Sequence, residues 1–135
     1  MTVKTETNFW KTLKEYLNRG DCIVSRLESY VTPGFPDCLV YHKQTGFFTL
    51  ELKVVNSSTK VVLSPFQIAW NTRHAPVGAQ SYILASLAAR GEVKLFHGCK
   101  TMELGQKTVD QVPGLYEGPL MDLDFCQVIS NSQTP

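Results

Sequence analysis

An aspartate after a proline, Pro36-Asp37, and a Glu-x-Lys run, Glu51-Leu52-Lys53, are the residues of this chain with the most chemical capability. Asp37 opens one apolar run and Glu-x-Lys lies inside the next, so side-by-side runs bring two carboxylates and an amine together. Two carboxylates can hold a divalent cation, and a neighbouring lysine can orient a water or stabilise a phosphate during transfer. That is the equipment of a metal-dependent phosphodiesterase. Glu51 and Lys53 are two residues apart in an extended run, so both side chains leave the same face. The plainer alternatives are a turn-capping Asp37 and a surface ion pair between Glu51 and Lys53. Against the ion pair, Phe48, Leu50, Leu52 and Val54 on one face and Phe47 on the other make the run apolar on both sides. Ionised groups in a buried strand are seldom purely structural.

The elements that must position these groups are legible from periodicity. Residues 6–19 place Phe9, Trp10, Leu13, Tyr16 and Leu17 on one helical face, with Thr5 or Thr7 as cap and Gly20 as stop. Residues 22–30 read as a strand with Arg26 and Glu28 on one face, and residues 32–36, Thr-Pro-Gly-Phe-Pro, as a turn. Two strands follow, residues 37–42 and 47–55, joined by a turn at Lys43-Gln44-Thr45-Gly46. Ser64 is a natural N-cap, with Pro65 at the first helical position and Gln67 completing a capping box for a helix to about Arg73. Residues 80–87 and 92–97 are two further strands around Arg90-Gly91, and the signal weakens after Cys99. Helix, three strands, helix, two strands is an α/β order with a mixed sheet.

At 135 residues the chain is one domain with room for a real core. The N-terminal eight residues lack the apolar stretch of a secretory signal and no run reaches membrane-spanning length, so the expected compartment is the cytoplasm. Cys22, Cys38, Cys99 and Cys126 have no zinc-ligand spacing and read as free thiols. His42, His74 and His97 also lack ligand spacing. The net charge of +1 hides an asymmetry: 12 Lys and Arg face 7 Asp and Glu through Lys100, and 1 faces 5 beyond it. A mildly basic body suits local contact with a polyanion. The acidic end is either a solvated segment, a shield for a basic face or a contact for a partner.

Gly34-Phe35-Pro36-Asp37, Glu51-Leu52-Lys53 and Ser64-Pro65-x-Gln67-x-x-Trp70 together resemble the PD-(D/E)XK nuclease superfamily. The resemblance is strongest to its virus-type replication-repair (VRR-NUC) branch, to related phage nucleases and to enzymes of the Holliday-junction-resolvase kind. It covers about residues 5–97. It implies a restriction-endonuclease-like core, αβββαβ, with a mixed central sheet flanked by helices. The core is expected over residues 1–100, with residues 101–135 as an acidic extension, part of the same domain or partly flexible.

The resemblance further implies Mg²⁺, with Mn²⁺ as a substitute, held by Asp37, Glu51 and the backbone carbonyl of Leu52. Oxygen ligands with retained waters suit this ion better than zinc. Lys53 is implied to align the attacking water and meet the scissile phosphate. A third acidic ligand is expected, with Glu28 preferred and Glu6 second; the stretch Arg26-Leu27-Glu28 is similar to an Arg-x-Glu of phage members. Gln67 is either a capping residue alone or also an active-site residue. Arg26, Lys60, Ser64 and Arg73 are the candidate DNA contacts, and Trp70 is read as core rather than as a stacking platform. The implied activity is a metal-dependent DNA endonuclease, structure-selective for branched or four-way-junction DNA, acting as a homodimer without a membrane, in the host cytoplasm if phage-encoded. The alternatives are a sequence-specific or general DNA-degrading nuclease of the same fold, and a non-cutting nucleic-acid-binding subunit.

Overall fold

The computed structural model describes residues 5–18, 20–27, 33–55 and 60–132. Helix α1 (Glu6–Asn18) leads into strand β1 (Cys22–Arg26), followed by β2 (Cys38–His42) and β3 (Gly46–Val55). Helix α2 (Pro65–His74) then connects to β4 (Ser81–Leu87) and β5 (Glu92–His97). The remainder forms a short helix α3 (Thr101–Leu104), a strand β6 (Tyr116–Gly118) and a final helix α4 (Phe125–Ser132).

The six strands form one sheet in sequence order, antiparallel throughout except for the parallel pair β3–β4. A parallel pair cannot be joined by a tight turn and needs a crossover, which α2 supplies. Alternation along the strands then sorts the side chains into two cores. Phe48, Leu50, Leu52, Tyr82, Leu84 and Leu95 face Phe9, Leu13 and Leu17 of α1 and Phe125 and Ile129 of α4. Val55, Ile83, Ala85, Leu87 and Phe96 face the opposite way, toward Val61, Leu104, Val109 and Val112. Burying such side chains contributes about 1.5–3 kcal/mol each, which makes β3 and β4 the rigid centre of the sheet.

The start of α2 is built as its sequence predicts. Ser64 Oγ accepts from Gln67 N (3.1 Å), and Gln67 Oε1 accepts from Ser64 N (2.9 Å), the two halves of a capping box. On the side facing the sheet, Asn71 is buried and accepts a hydrogen bond from Ser81 Oγ of β4 (3.1 Å). This link fixes α2 over the sheet face that carries Glu51 and Lys53.

The segment beyond Lys100 is more ordered than its sequence signals. β6 pairs with β5, and Val109 and Val112 are buried in the second core. Two of its acidic residues pair with cations near β5: Asp110 with Arg90 (2.7 Å) and Glu117 with Lys94 (3.2 Å). Lys94, itself buried, also donates to the Val109 carbonyl (3.0 Å). Instead of a solvated tail, residues 101–132 are thus bound to the sheet and complete its cores. The four cysteines are free, as their spacing predicts. Among the described residues no helix is long and apolar enough to cross a membrane.

Candidate active site

Asp37 immediately precedes β2, and the register Cys38↔Leu50 continues one step to set Asp37 opposite Glu51. Directly opposed residues of an antiparallel pair share a face, so Asp37, Glu51 and Lys53 project together on the α2 side of the sheet. Asp37 is fixed at both ends. Its Oδ2 accepts from Leu52 N (2.9 Å), and its backbone carbonyl accepts from Leu27 N (2.6 Å).

The edge of β3 that meets Asp37 also carries a main-chain oxygen. Thr49 N and Val55 O bond on the β4 side, so the odd-numbered residues of β3 turn their main-chain groups toward β4. Leu52, even-numbered, directs its N–H to Asp37, and its carbonyl leaves the strand on that same edge.

Glu51 is only 4% exposed and shares a side-chain hydrogen bond with Asp37. Two carboxylates can share a hydrogen bond only when one of them carries the proton. Burial first, then the hydrogen bond and the charge of Asp37, push the Glu51 carboxyl far above the ordinary carboxylate range. The charge of Glu6, in the first turn of α1, adds to this, and the Lys53 ammonium opposes it without reversing it. Beside the pair, burial raises the Cys38 thiol to about 12, so this sulfur stays neutral and is neither ligand nor nucleophile.

The site suits a hard divalent cation. It offers an oxygen-only donor set, and a cation would replace the shared proton between two acids held at contact. Thr49 Oγ1, two residues from Glu51 on the same face, is buried with no hydrogen-bond partner among the described residues. It is a polar group available to a water of the ion's shell. Among the described residues no three Asp, Glu, His or Cys side chains converge to hold a metal by themselves. Two carboxylates, a carbonyl and retained waters match the habits of Mg²⁺, which keeps much of its hydration.

The turn that delivers Asp37 is locked to α2 by a glycine. Gly34 has φ +82°, and a Cβ added there would stand 2.2 Å from the Phe66 carbonyl oxygen and 2.9 Å from Gln67 N. Only a residue without a side chain lets this turn lie against the first turn of α2. Gly34→Ala is expected to destabilise the protein by about 2 kcal/mol or more, because strained backbone adds to a clash with main chain that no rotamer relieves. Urea unfolding of the variant measures this directly; an unchanged midpoint would mean that the turn does not rest on α2.

The other predicted residues are distributed unevenly. Gln67 lies at the docking point of the Gly34 turn, and its Oε1 serves the cap. Ser64 acts as the N-cap of α2, and Lys60 and Arg73 are exposed, before and on that helix. Arg26, paired with Cys38, faces the α1 side and stacks on the Trp10 ring (5.6 Å), so it does not join Asp37 and Glu51. Glu28 lies outside the described residues, while Glu6 is near enough for its charge to act on Glu51. Trp70 corrects the expectation of a core residue: it joins neither core and is half-buried, edge-on to Phe35 (5.7 Å) and stacked on His74 (3.9 Å). Sequence reasoning missed the contact of Gly34 with α2. Pro33-Gly34 marks a turn, but nothing in the sequence names the helix it meets.

No protein-family model and no curated protein matches the sequence. In three dimensions the chain is similar to a VRR_NUC domain, at 20% identity over 75% of this chain and 97% of that one, with TM-score 0.53. It is also similar to Hjc of Archaeoglobus fulgidus, described as a Holliday junction resolvase from an archaeal hyperthermophile. Here identity is 19% over 91% of this chain and 97% of that one, with TM-score 0.57. The chain therefore has the α/β, restriction-endonuclease-like fold of these structures. The likeness to Hjc runs over more of the chain than the sequence motifs do, in keeping with the docking of residues 101–132 on the sheet.

Proposed function

We propose that this chain is a metal-dependent DNA endonuclease that hydrolyses phosphodiester bonds and selects its substrate by structure. The observation that carries the proposal is the pairing of half-buried Asp37 with buried Glu51, with Lys53 on the same face. A protein that only bound nucleic acid would gain nothing from two acids that repel phosphate. The fold supports the reading: the solved structures it resembles are described as a VRR_NUC domain and a Holliday junction resolvase.

In this account Asp37, Glu51 and the Leu52 carbonyl hold Mg²⁺, or Mn²⁺ in its place, and Glu6 or Glu28 adds a further acid. When bound, the ion lowers the pKa of a water and neutralises charge gathering on the phosphate. Lys53, on the same strand face as Glu51, directs its ammonium at the attacking water and the phosphate oxygen, stabilising the developing negative charge. Gln67 uses Oε1 to hold the helix start and Nε2 to fix the water or phosphate. Ser64, Lys60 and Arg73 meet flanking phosphates, which set register without reading sequence. Arg26 serves DNA only at the α1 edge. The compact body favours recognition by shape, hence branched or junction DNA, and cutting two strands calls for a homodimer.

Cleavage of labelled single-stranded, duplex, flap and four-way-junction DNAs with Mg²⁺ or Mn²⁺ tests the proposal. The expected result is metal-dependent cutting, fastest on a branched substrate. Equal cutting of all forms favours a general DNA-degrading nuclease. Binding without cutting, with either ion, overturns the enzymatic reading in favour of a binding subunit.

A further inference from the structure

The chain carries no acidic residue between Glu51 and Glu92, while Lys53, Lys60, Arg73 and Arg90 fall in that interval. Of these, Lys60 and Arg73 are exposed before and on α2, whose own residues include no carboxylate, while Arg90 is paired with Asp110. On this flank lies an aromatic ridge that neither core uses. Phe66, Trp70 and His74 recur every fourth residue and so share one face of α2. Phe35 leans edge-on against Trp70. The outer members are open to solvent: Phe66 is 60% exposed, Val62 78% and Phe35 39%. The ridge begins at the reaction site, because the Gly34 turn rests on the Phe66 carbonyl and Phe35 stands two residues before Asp37.

Exposed rings beside a phosphate path are useful to a ligand that offers flat apolar faces and negative charge together. An unpaired nucleobase is such a ligand; a base inside a continuous duplex has both faces covered by its neighbours. Stacking on aromatic side chains is sequence-tolerant because every base has a π-face. We propose that the Phe35–Phe66 rim of α2 stacks on an unpaired base next to the phosphate presented to Asp37 and Glu51. The rim thereby distinguishes DNA with a free base, at a branch or flap, from continuous duplex. This rests on the nuclease reading above and supplies its substrate selection. The exposed cations Lys60 and Arg73 beside the rings favour DNA over a second copy of the chain as the occupant.

The test places the fluorescent base 2-aminopurine beside the branch of flap and four-way-junction DNAs, and at the same position in continuous duplex, with Ca²⁺ in place of Mg²⁺. Wild-type protein is expected to quench the probe at the branch. Phe66→Ala, at an exposed position that leaves both cores intact, is expected to lose the quench and bind branched DNA about tenfold more weakly, with duplex affinity within about twofold. Phe66→Trp retains the quench and Phe66→Leu does not. Phe47→Ala, at an exposed ring on the sheet itself, behaves as wild type. Equal losses on branched and duplex DNA, or a Leu variant indistinguishable from wild type, overturn the stacking proposal. So does an unchanged quench in Phe66→Ala accompanied by dissociation of a dimer in sedimentation, which would make the rim a protein interface. Cleavage of the same DNAs with Mg²⁺ separates the two ideas. Cutting by wild type with an unchanged branch preference in Phe66→Ala sinks the stacking and keeps the nuclease. Quenching lost in Phe66→Ala, with no cutting by either protein, supports the stacking and sinks the nuclease.

Discussion

Glu51→Gln is expected to make the metal-free protein more stable above neutral pH while abolishing cleavage. Glu51 is buried, and its carboxyl is held far above the ordinary value of 4.5 by burial and by Asp37. Between that value and the raised folded one, the native state binds a proton that the unfolded chain has lost. Stability then falls as pH rises through the window, by up to about 1.4 kcal/mol per pH unit for one proton. The sign is the reverse of the usual salt-bridged carboxylate, because here the folded pKa is raised. Glutamine keeps the volume, cannot ionise, and can donate its amide hydrogen to Asp37 where the acid shared a proton. We expect a gain of about 1–3 kcal/mol above neutral pH in a metal chelator, and a nearly flat pH profile where the wild type slopes downward. Urea unfolding across pH reads both. A variant that is less stable with the same slope would show that Glu51 is not the buried acid described here. The trade of stability for function is the pattern of an active site.

Lys53→Ala is expected to lower the cleavage rate by about 10²–10⁴-fold, with DNA affinity changed far less. Lys53 is half-buried beside Glu51, and its ammonium is the positive charge that acts directly on that carboxyl. Arginine should rescue poorly, since a planar guanidinium neither occupies the place of a compact ammonium nor yields a proton. Single-turnover rates on the preferred substrate, beside binding titrations, measure the effect. A rate within a few-fold of wild type would remove Lys53 from the chemistry.

Much of this arrangement was legible because it follows from local rules. The capping box at Ser64 and Gln67 is a short-range pattern, and it appears as written. The shared face of Glu51 and Lys53 follows from strand alternation alone. Their convergence with Asp37 needed a register, which the short turn between β2 and β3 sets. Long-range packing was not legible. The contact of Gly34 with Phe66 joins segments about thirty residues apart, and only the folded chain reveals why glycine stands there. Trp70 looked like core because tryptophan is usually buried, yet α2 turns it toward Phe35 and His74. The strand read over residues 22–30 is observed as β1 to Arg26, whose side chain goes to Trp10, and Glu28 lies outside the described residues. The end of the chain looked loose because its periodicity is weak, and its order comes from Arg90, Lys94 and the edge of β5, which lie outside it.

Every catalytic step proposed above depends on Asp37 and Glu51 forming a divalent-cation site. Titration calorimetry with Mn²⁺ tests it most directly, run in two buffers of different ionisation enthalpy. Wild-type protein is expected to bind the ion with release of a proton, since the shared proton must leave before the cation enters, and Asp37→Asn is expected to show no such binding. Absence of binding in the wild type, or binding unaltered in Asp37→Asn, would contradict it.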